Sequence, residues 1–384
     1  MWRHIASNAL TLFIVLLFLL GGAIAWGTGK YAATGPLAQA ICLRVESGSN
    51  MRAVSKILEA EGAVSSPTVF RLGADYSEKA SLLKAGSFLV EAGSSMEAIV
   101  DQITLDGRTT CGTEVVYRVG VTRTTIQIRE LDPATNRYVE LAVFNPAEEE
   151  IPAEYIQVKQ EPDTRYRALI AEGVTSWQVV DALNRLDLLG DDYTDSPAEG
   201  SLAPDSYAFI PGDPVASIID RMTESQARIL ADAWANRPDG IPLASAEEAL
   251  ILASIIEKET AVPGERRQVA SVFVNRLNLG MRLQTDPTVI YGITEGQGVL
   301  GRGLRRSELR RETPWNTYVI PALPPTPIAN PGKASIEAAL NPDESEYIFF
   351  VADGTGGHAF ATNLDDHNSN VARWRIIEAR NAAN

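Results

Sequence analysis

Residues 245–260 read Ser-Ala-Glu-Glu-Ala-Leu-Ile-Leu-Ala-Ser-Ile-Ile-Glu-Lys-Glu-Thr, and this stretch decides how the C-terminal half of the chain folds. Ser245 followed three residues later by Glu248 is a capping box, which predicts that a helix begins immediately afterwards. The apolar residues that follow are dense, so we expect this helix to be well buried. Pro263-Gly264 ends it, and a second helix with apolar residues at helical spacing runs on to Gly280.

Two glutamates stand at the end of the first helix, Glu257 and Glu259. Residues two positions apart point about 200° away from each other, so one can face a cleft while the other meets solvent. A carboxyl group at the end of an apolar helix, opening onto a cleft, has its pKa raised by desolvation and can donate a proton near neutral pH. Spacing alone is weak evidence, because a glutamate near a helix end is in most cases a solvated surface group, and at this point both interpretations stay open.

The N-terminus carries the strongest compositional signal. Ala9–Trp26 is almost entirely apolar, and its eighteen residues make a helix of about 27 Å, near the thickness of a bilayer core. Arg3 precedes this run and favours an N-terminus that stays on the cytoplasmic side of the membrane. We therefore expect a retained membrane anchor, although Ala23-Ile24-Ala25 resembles the cleavage site of a secretory signal. Either interpretation exports the rest of the chain.

A weak repeat follows, in which a glycine turn and a capping residue lead into apolar residues four apart. It occurs at Gly48–Met51, Gly93–Met96 and Gly173–Ser176, and extended runs at Ile41–Val45 and Ser87–Val90 precede the first two. These strand-helix units resemble LysM-type glycan-binding modules, a pattern that purely structural α+β domains share.

Between residues 107 and 160 the pattern changes to runs typical of strands separated by Asp-Pro and Asn-Pro turns, which predicts a β-rich insertion. Nothing in it suggests chemistry. The expected strands are Val115–Val119, Thr125–Ile128, Val139–Val143 and Tyr155–Val158.

Composition excludes some classes of function. The formal net charge of −15 and the lack of a basic stripe argue against a nucleic-acid partner. Cys42 and Cys111 lack metal-like spacing; we favour two independent thiols, with a pair left open because both would be exported. His358 and His367, nine residues apart, suggest hydrogen bonding rather than a metal site.

Several long motifs in a fixed order resemble the endolytic murein transglycosylases of the MltG/YceG-like family. The likeness extends over about residues 165–380, and the β-rich insertion departs from shorter family members. The motifs are Leu252–Val262, Val269–Leu277, Gly280–Gly292, Pro314–Tyr318, Leu323–Pro325, Ile328–Gly332, Phe350–Gly354 and Gly356–His358.

The resemblance completes the predicted architecture, an α+β fold with an N-terminal transmembrane helix and a helix-rich catalytic domain. The expected parts are the anchor at 1–26, a tether at 27–40, a LysM-like module at 41–106, the β-rich insertion at 107–160 and the YceG-like catalytic domain at 161–384.

The resemblance implies that Glu259 is the catalytic acid/base, because lytic transglycosylases place this glutamate just before a Ser or Thr at a helix end. Glu259-Thr260 fits that pattern and Glu257-Lys258 does not. The implied reaction cuts the β-1,4 bond between N-acetylmuramic acid and N-acetylglucosamine of nascent strands, leaves 1,6-anhydro ends, and terminates strand elongation. It needs no cofactor and no metal.

Partners and location follow from the same resemblance. We expect peptidoglycan strands as substrate, peptidoglycan synthases (penicillin-binding proteins) as partners, and a single-pass inner-membrane protein whose catalytic part is periplasmic. Sugars need amide, hydroxyl and aromatic partners. The candidates for the glycan groove are Gln284, Thr285, Asp286, Tyr291, Asn316 and Tyr318, with Asn363 and His367 as weaker ones.

Two alternatives stay open. A hydrolytic muramidase would use Asp286 as its second carboxyl group, because ordinary glycosidases need two. A non-catalytic glycan-binding scaffold would depend on the strand-helix units instead. Products with reducing ends would indicate the first alternative, and digestion by a Glu259→Gln variant would count against catalysis by Glu259.

Overall fold

The structure is a computed structural model that describes residues 2–104, 109–161 and 163–381, with side chains from residue 10 onward. It confirms the predicted α+β class with an apolar N-terminal helix. The helices are α1 (Trp2–Ala32), α2 (Met51–Ala60), α3 (Pro67–Tyr76), α4 (Met96–Thr104), α5 (Ala153–Val158), α6 (Ser176–Asn184), α7 (Val215–Ala235), α8 (Ala246–Glu259), α9 (Arg266–Asn278), α10 (Asp286–Thr294), α11 (Lys333–Leu340) and α12 (Leu364–Asn381). The strands are β1 (Ile41–Val45), β2 (Gly86–Val90), β3 (Thr113–Val119), β4 (Thr124–Asp132), β5 (Arg137–Phe144), β6 (Arg165–Ile170), β7 (Ser206–Phe209), β8 (Phe349–Ala352) and β9 (His358–Ala361).

The chain divides into two compact units. The larger sheet has the strand order β5-β4-β3-β6-β7. The domain boundaries given above stay predictions. The first unit comprises Met1–Val115, Gln127–Phe144 and Glu150–Arg165, and the second comprises Val116–Ile126, Asn145–Glu149 and Tyr166–Asn384.

In the first unit, β1 pairs antiparallel with β2, with Leu43 opposite Phe88. Both side chains are buried in a core to which α2, α3 and α4 contribute. The last turns of α1, which continue into the predicted tether, place Tyr31 against this core. A side chain at Gly73 on α3 would collide with the Tyr31 ring, so this close approach requires glycine.

One described segment, Leu10–Ala32 within α1, is long and apolar enough to cross a membrane by length and composition. The two strands and the three helices predicted around the glycine repeat are also confirmed. Asn50 caps α2 by accepting from Ala53 N at 3.0 Å, and Thr175 forms a capping box with Gln178 at the start of α6.

The β-rich insertion contains three of its four predicted strands, β3, β4 and β5. The prediction for Tyr155–Val158 is wrong, because these residues belong to α5. Pro152 directly precedes this helix, and Tyr155 and Val158 are buried three residues apart, which is helical spacing.

The preference for two independent thiols is also wrong. Cys42 and Cys111 form a disulfide, with their Cα atoms 5.6 Å apart. The amide groups of Thr110 and Cys111 both donate to the Ser87 carbonyl, which holds this segment beside β2. Since β2 pairs with β1, the segment comes within bonding distance of Cys42.

In the second unit, α8 is the central helix and its predicted start is confirmed, with Ser245 accepting from Glu248 N at 3.3 Å. Residues from Ile251 to Ile256 are all buried, and this part of the helix packs against α9 and α11. The Ser254 hydroxyl accepts from Ile328 N at 3.0 Å, which fixes the segment before α11 to the middle of α8. The helix therefore ends at a well-determined position.

We expect the Cys42→Ser/Cys111→Ser variant to destabilise the first unit by between about 2 and 5 kcal/mol, because the disulfide closes a loop between residues 69 positions apart. Hydrogen exchange in α2 and α4, compared between the variant and the oxidised wild-type full-length chain, measures this loss. Wild-type protein treated with a reductant should match the variant, and equal protection with and without the disulfide would contradict the expectation.

Candidate active site

Glu259 is the last residue of α8, and the chain becomes extended at Thr260. Thr260 stabilises this exit, since its hydroxyl accepts from Val262 N at 3.0 Å. The Glu259 side chain keeps partial exposure, whereas the six residues before Glu257 are buried. A carboxyl group thus emerges from a buried helix onto an accessible surface.

Burial is the main influence on this carboxyl group and raises the pKa of Glu259 above its ordinary value of 4.5. The Thr285 hydroxyl donates a hydrogen bond to Glu259 Oε1 and lowers the pKa in part. The negative charge of Asp286 raises it, and the positive charges of His358 and Arg276 lower it. Because burial dominates, the neutral acid persists to higher pH than in an exposed glutamate.

Thr285 is held by a network of buried hydroxyl groups. Its amide donates to Thr317 Oγ1 at 3.0 Å, and Thr288 Oγ1 donates to the Thr285 carbonyl at 2.7 Å. Thr285, Thr288 and Thr317 are each no more than 2% exposed. The preceding residue, Gln284, has a left-handed backbone with φ 51° and donates from its amide to the Thr317 carbonyl at 3.2 Å. This turn at the start of α10 aims the Thr285 hydroxyl at Glu259.

Two basic side chains contribute to the field at Glu259. Arg276 lies buried on α9 and donates to the Ile348 carbonyl at 2.7 Å and to the Leu283 carbonyl at 2.5 Å. His358 Nδ1 lies 2.9 Å from Glu265 Oε2, and its amide donates to the other oxygen at 2.9 Å. Both side chains are held in place by their own partners rather than by Glu259.

Glu257 points elsewhere, as the helical geometry predicts. Its carboxylate accepts from Gly332 N at 3.0 Å and from Ser335 Oγ at 2.7 Å, at the N-terminus of α11. Arg266 lies 3.8 Å away, and the Glu257 side chain is 6% exposed. The position fits a helix cap, since a carboxylate satisfies free amide groups and the helix dipole. Glu257 is bound by protein groups and does not face solvent.

Among the predicted glycan-binding residues, three lie with Thr285 beside Glu259. Asp286 is exposed at the first position of α10 and accepts from the Tyr318 hydroxyl at 2.7 Å. Gln284 is exposed on the turn before it. These side chains offer amide, hydroxyl, carboxylate and aromatic surfaces next to the carboxyl group.

Tyr291 and Asn316 serve the framework in this structure. The Tyr291 hydroxyl donates to Glu199 Oε2 at 3.2 Å and its ring packs against Trp315. Asn316 is fully buried, and its amide donates to three backbone carbonyls, the shortest contact being 2.7 Å to Arg311. Sugar binding by either residue stays a prediction.

The two weaker candidates lie at the start of α12. Asn363 is exposed and accepts from Asp366 N at 2.9 Å, which caps the helix. His367 stacks on Phe349 with ring centroids 4.9 Å apart. Burial, followed by the charge of Arg276, lowers the pKa of His367, so its ring is neutral near pH 7. Among the described residues, no group of three or more His, Cys, Asp or Glu side chains is placed to hold a metal ion.

Sequence reasoning missed the supporting residues Glu265, Thr288 and Thr317. Arg276, a further supporting residue, did leave a readable signal, because it is a charged residue at a position where the helical pattern of α9 requires burial. The threonines left none, because their role depends on contacts across about thirty residues of chain.

A sequence model of the YceG-like family matches residues 147–373, more than half of the chain, and includes Glu259, Arg276, Thr285 and His358. The chain belongs to the YceG-like family. This confirms the family resemblance inferred from the motifs. The match also begins within the β-rich insertion and ends within α12.

Two curated relatives carry the same name. The "Endolytic murein transglycosylase" of Bacillus subtilis is 30% identical over 341 residues, which cover 88% of this chain and 85% of that protein. The protein of that name from Streptococcus pneumoniae D39 is 28% identical, and the alignment covers 86% of this chain but 58% of that longer protein. A crystal structure of a YceG-like protein from Listeria monocytogenes is 25% identical, with 86% and 99% coverage and a TM-score of 0.45.

The raised pKa of Glu259 predicts a specific pH dependence of stability. Below pH 4.5 a carboxyl group with a raised folded-state pKa is neutral in both the folded and the unfolded chain and costs no stability. As the pH rises from 4.5 to the folded-state pKa, the group ionises more readily in the unfolded chain, and the free energy of unfolding falls. Glu259→Gln keeps an acceptor for Thr285 but cannot ionise. The melting temperature of this variant, relative to wild type, should therefore rise with pH across that window.

Thermal unfolding from pH 4 to pH 8 checks this expectation. Glu378→Gln, at an exposed position on α12, is the matched control and should follow the wild-type curve. A Glu259→Gln curve parallel to wild type at every pH would show that burial does not perturb this carboxyl group.

Proposed function

We propose that the chain is an endolytic lytic transglycosylase that cuts peptidoglycan glycan strands with Glu259 as its catalytic acid and base. The observation that carries this proposal is the Glu259 carboxyl group, accessible at the end of a buried helix, with a pKa raised by burial and one donor, Thr285, aimed at it. The family and the names of two relatives supply the substrate class.

In the first step, the neutral Glu259 carboxyl group donates its proton to the oxygen between N-acetylmuramic acid and N-acetylglucosamine. The bond from that oxygen to C1 of the muramic acid breaks, and positive charge develops on the sugar ring. Burial assists this step because it holds the group in its neutral form. The leaving sugar departs with a hydroxyl group.

In the second step, the Glu259 carboxylate removes the proton from the C6 hydroxyl of the muramic acid, and O6 bonds to C1. The product is a 1,6-anhydro end, Glu259 is neutral again, and no water is consumed. Thr285 contributes here, since its hydrogen bond stabilises the carboxylate between the two steps. One group therefore performs both proton transfers.

The electrostatic surroundings suit a group that must change charge. Arg276 and His358 favour the carboxylate, whereas burial and Asp286 favour the acid, and burial is the largest of these influences. Asp286 already accepts from the Tyr318 hydroxyl, a contact that suits the binding of sugar hydroxyl groups. We assign Gln284, Asp286 and Tyr318 to the glycan groove on this basis.

We further propose that the chain is a single-pass protein of the inner membrane with its catalytic part in the periplasm, where it works beside peptidoglycan synthases on nascent strands. The apolar segment Leu10–Ala32 supports the anchor. The Cys42–Cys111 disulfide supports an oxidising compartment, because such bonds persist outside the cytoplasm.

The decisive experiment compares Glu259→Gln with Glu257→Gln on purified peptidoglycan strands. Glu259→Gln should lower kcat by about 10³-fold or more, since general acid-base help contributes about 10²–10⁴-fold and this residue acts twice. Glycan binding should persist, because glutamine keeps the shape and the acceptor for Thr285.

Glu257→Gln is the matched control, two residues away on the same helix. It retains an acceptor for Gly332 and Ser335, and Arg266 keeps Glu172 as a partner at 3.2 Å, so we expect a loss of less than about tenfold. An active Glu259→Gln together with an inactive Glu257→Gln would overturn the assignment.

A further inference from the structure

A second concave site lies away from the proposed catalytic residues, between the C-terminal part of α7, the start of α9 and one face of α11. Its volume is about 600 Å³. Ala233, Ala334 and Ala338 contribute to its lining, and such small side chains leave room for a ligand at the helix surfaces. We call this site the α7–α11 cleft.

The charged residues of the α7–α11 cleft differ in balance from those of the whole chain. The chain carries a formal net charge of −15, yet the cleft is lined by more basic than acidic side chains. Arg266 pairs with Glu172 at 3.2 Å and Lys333 with Glu337 at 3.6 Å, so the positive charge available to an anionic ligand comes from the arginines that are not paired. The basic side chains are Arg228, Arg237, Arg266, Arg267 and Lys333, and the acidic ones are Asp232 and Glu337.

Two of the arginines are not engaged by an acidic group. Arg267 pairs with Asp343 at 3.0 Å, but no acidic side chain in the described ranges lies within ion-pair distance of Arg228 or Arg237. The Arg237 guanidinium lies 3.7 Å from the centre of the Trp234 ring and donates to the Trp234 carbonyl at 2.7 Å. This arginine is therefore pre-oriented, and the remaining donors of its planar fork suit a carboxylate.

The α7–α11 cleft also borders the segment that follows the catalytic helix. Pro263 lines the cleft four residues after Glu259, so their Cα atoms are at most about 14 Å apart. An extended substituent of about four residues is as long as that distance.

We propose that the α7–α11 cleft binds the acidic stem peptide of peptidoglycan, an inference that rests on the proposed function and defines which strands are substrates. Stem peptides combine alanine methyl groups with several carboxylates, and they branch from the muramic acid that the reaction attacks. The methyl groups match the small apolar lining, and the carboxylates match Arg228 and Arg237.

Direct binding tests the proposal without turnover. The probe is the tripeptide L-Ala-γ-D-Glu-meso-diaminopimelate, titrated by calorimetry into the full-length chain in detergent micelles. Arg228→Glu/Arg237→Glu should weaken binding by about tenfold or more, the effect of losing hydrogen bonds to a charged group. The matched control is Arg375→Glu/Arg380→Glu, which makes the same charge change at exposed positions of α12 and should bind like wild type.

Turnover provides the second readout. The ratio of kcat/KM on peptide-bearing strands to that on strands stripped of peptides by an amidase should fall by about tenfold or more in Arg228→Glu/Arg237→Glu, and not in the control. Equal peptide affinity in the two double variants, or no binding to wild type, would overturn the proposal. A wild-type chain that binds the tripeptide but cuts neither substrate would refute the proposed function alone.

Discussion

The burial of α8 is the constraint on which the rest of the molecule depends. Its apolar residues pack against α9 and α11, so the last turn cannot rotate without opening the core. Three consecutive charged side chains must leave this turn in different directions. Glu257 binds the start of α11, Lys258 donates to the Gly173 carbonyl at 3.2 Å, and Glu259 meets Thr285. The first two contacts fix the helix end, which leaves the third group as the one available for chemistry.

The same burial explains the electrostatics of the site. Desolvation raises the pKa of Glu259, and two nearby basic groups, His358 and Arg276, moderate this effect. Neither group depends on Glu259 for its position. His358 is held by Glu265, whose carboxylate can reach the His358 amide because residue 357 is a glycine; a side chain there would collide with Glu265. Arg276 is held by two backbone carbonyls. A fixed arrangement of this kind needs little reorganisation when the carboxyl group changes charge.

Features that depend on local chemistry could be predicted from the sequence. The start of α8 follows from Ser245 and Glu248, and the opposite directions of Glu257 and Glu259 follow from helical geometry. The strand prediction for Tyr155–Val158 failed because four residues of mixed polarity fit a strand or a helix equally well. The disulfide and the Thr285 contact could not be predicted, since each joins segments that only the folded chain brings together. Glu259 itself was selected by family resemblance rather than by spacing.

The central claim is that one carboxyl group serves as acid and then as base, with the C6 hydroxyl as the internal nucleophile. Mass spectrometry of strands digested by the purified full-length chain in ¹⁸O-labelled water tests it most directly. The account predicts muramic acid ends that are one water lighter than reducing ends and carry no ¹⁸O. Reducing ends labelled with ¹⁸O would contradict it, because they would require an activated water and a second catalytic carboxyl group such as Asp286.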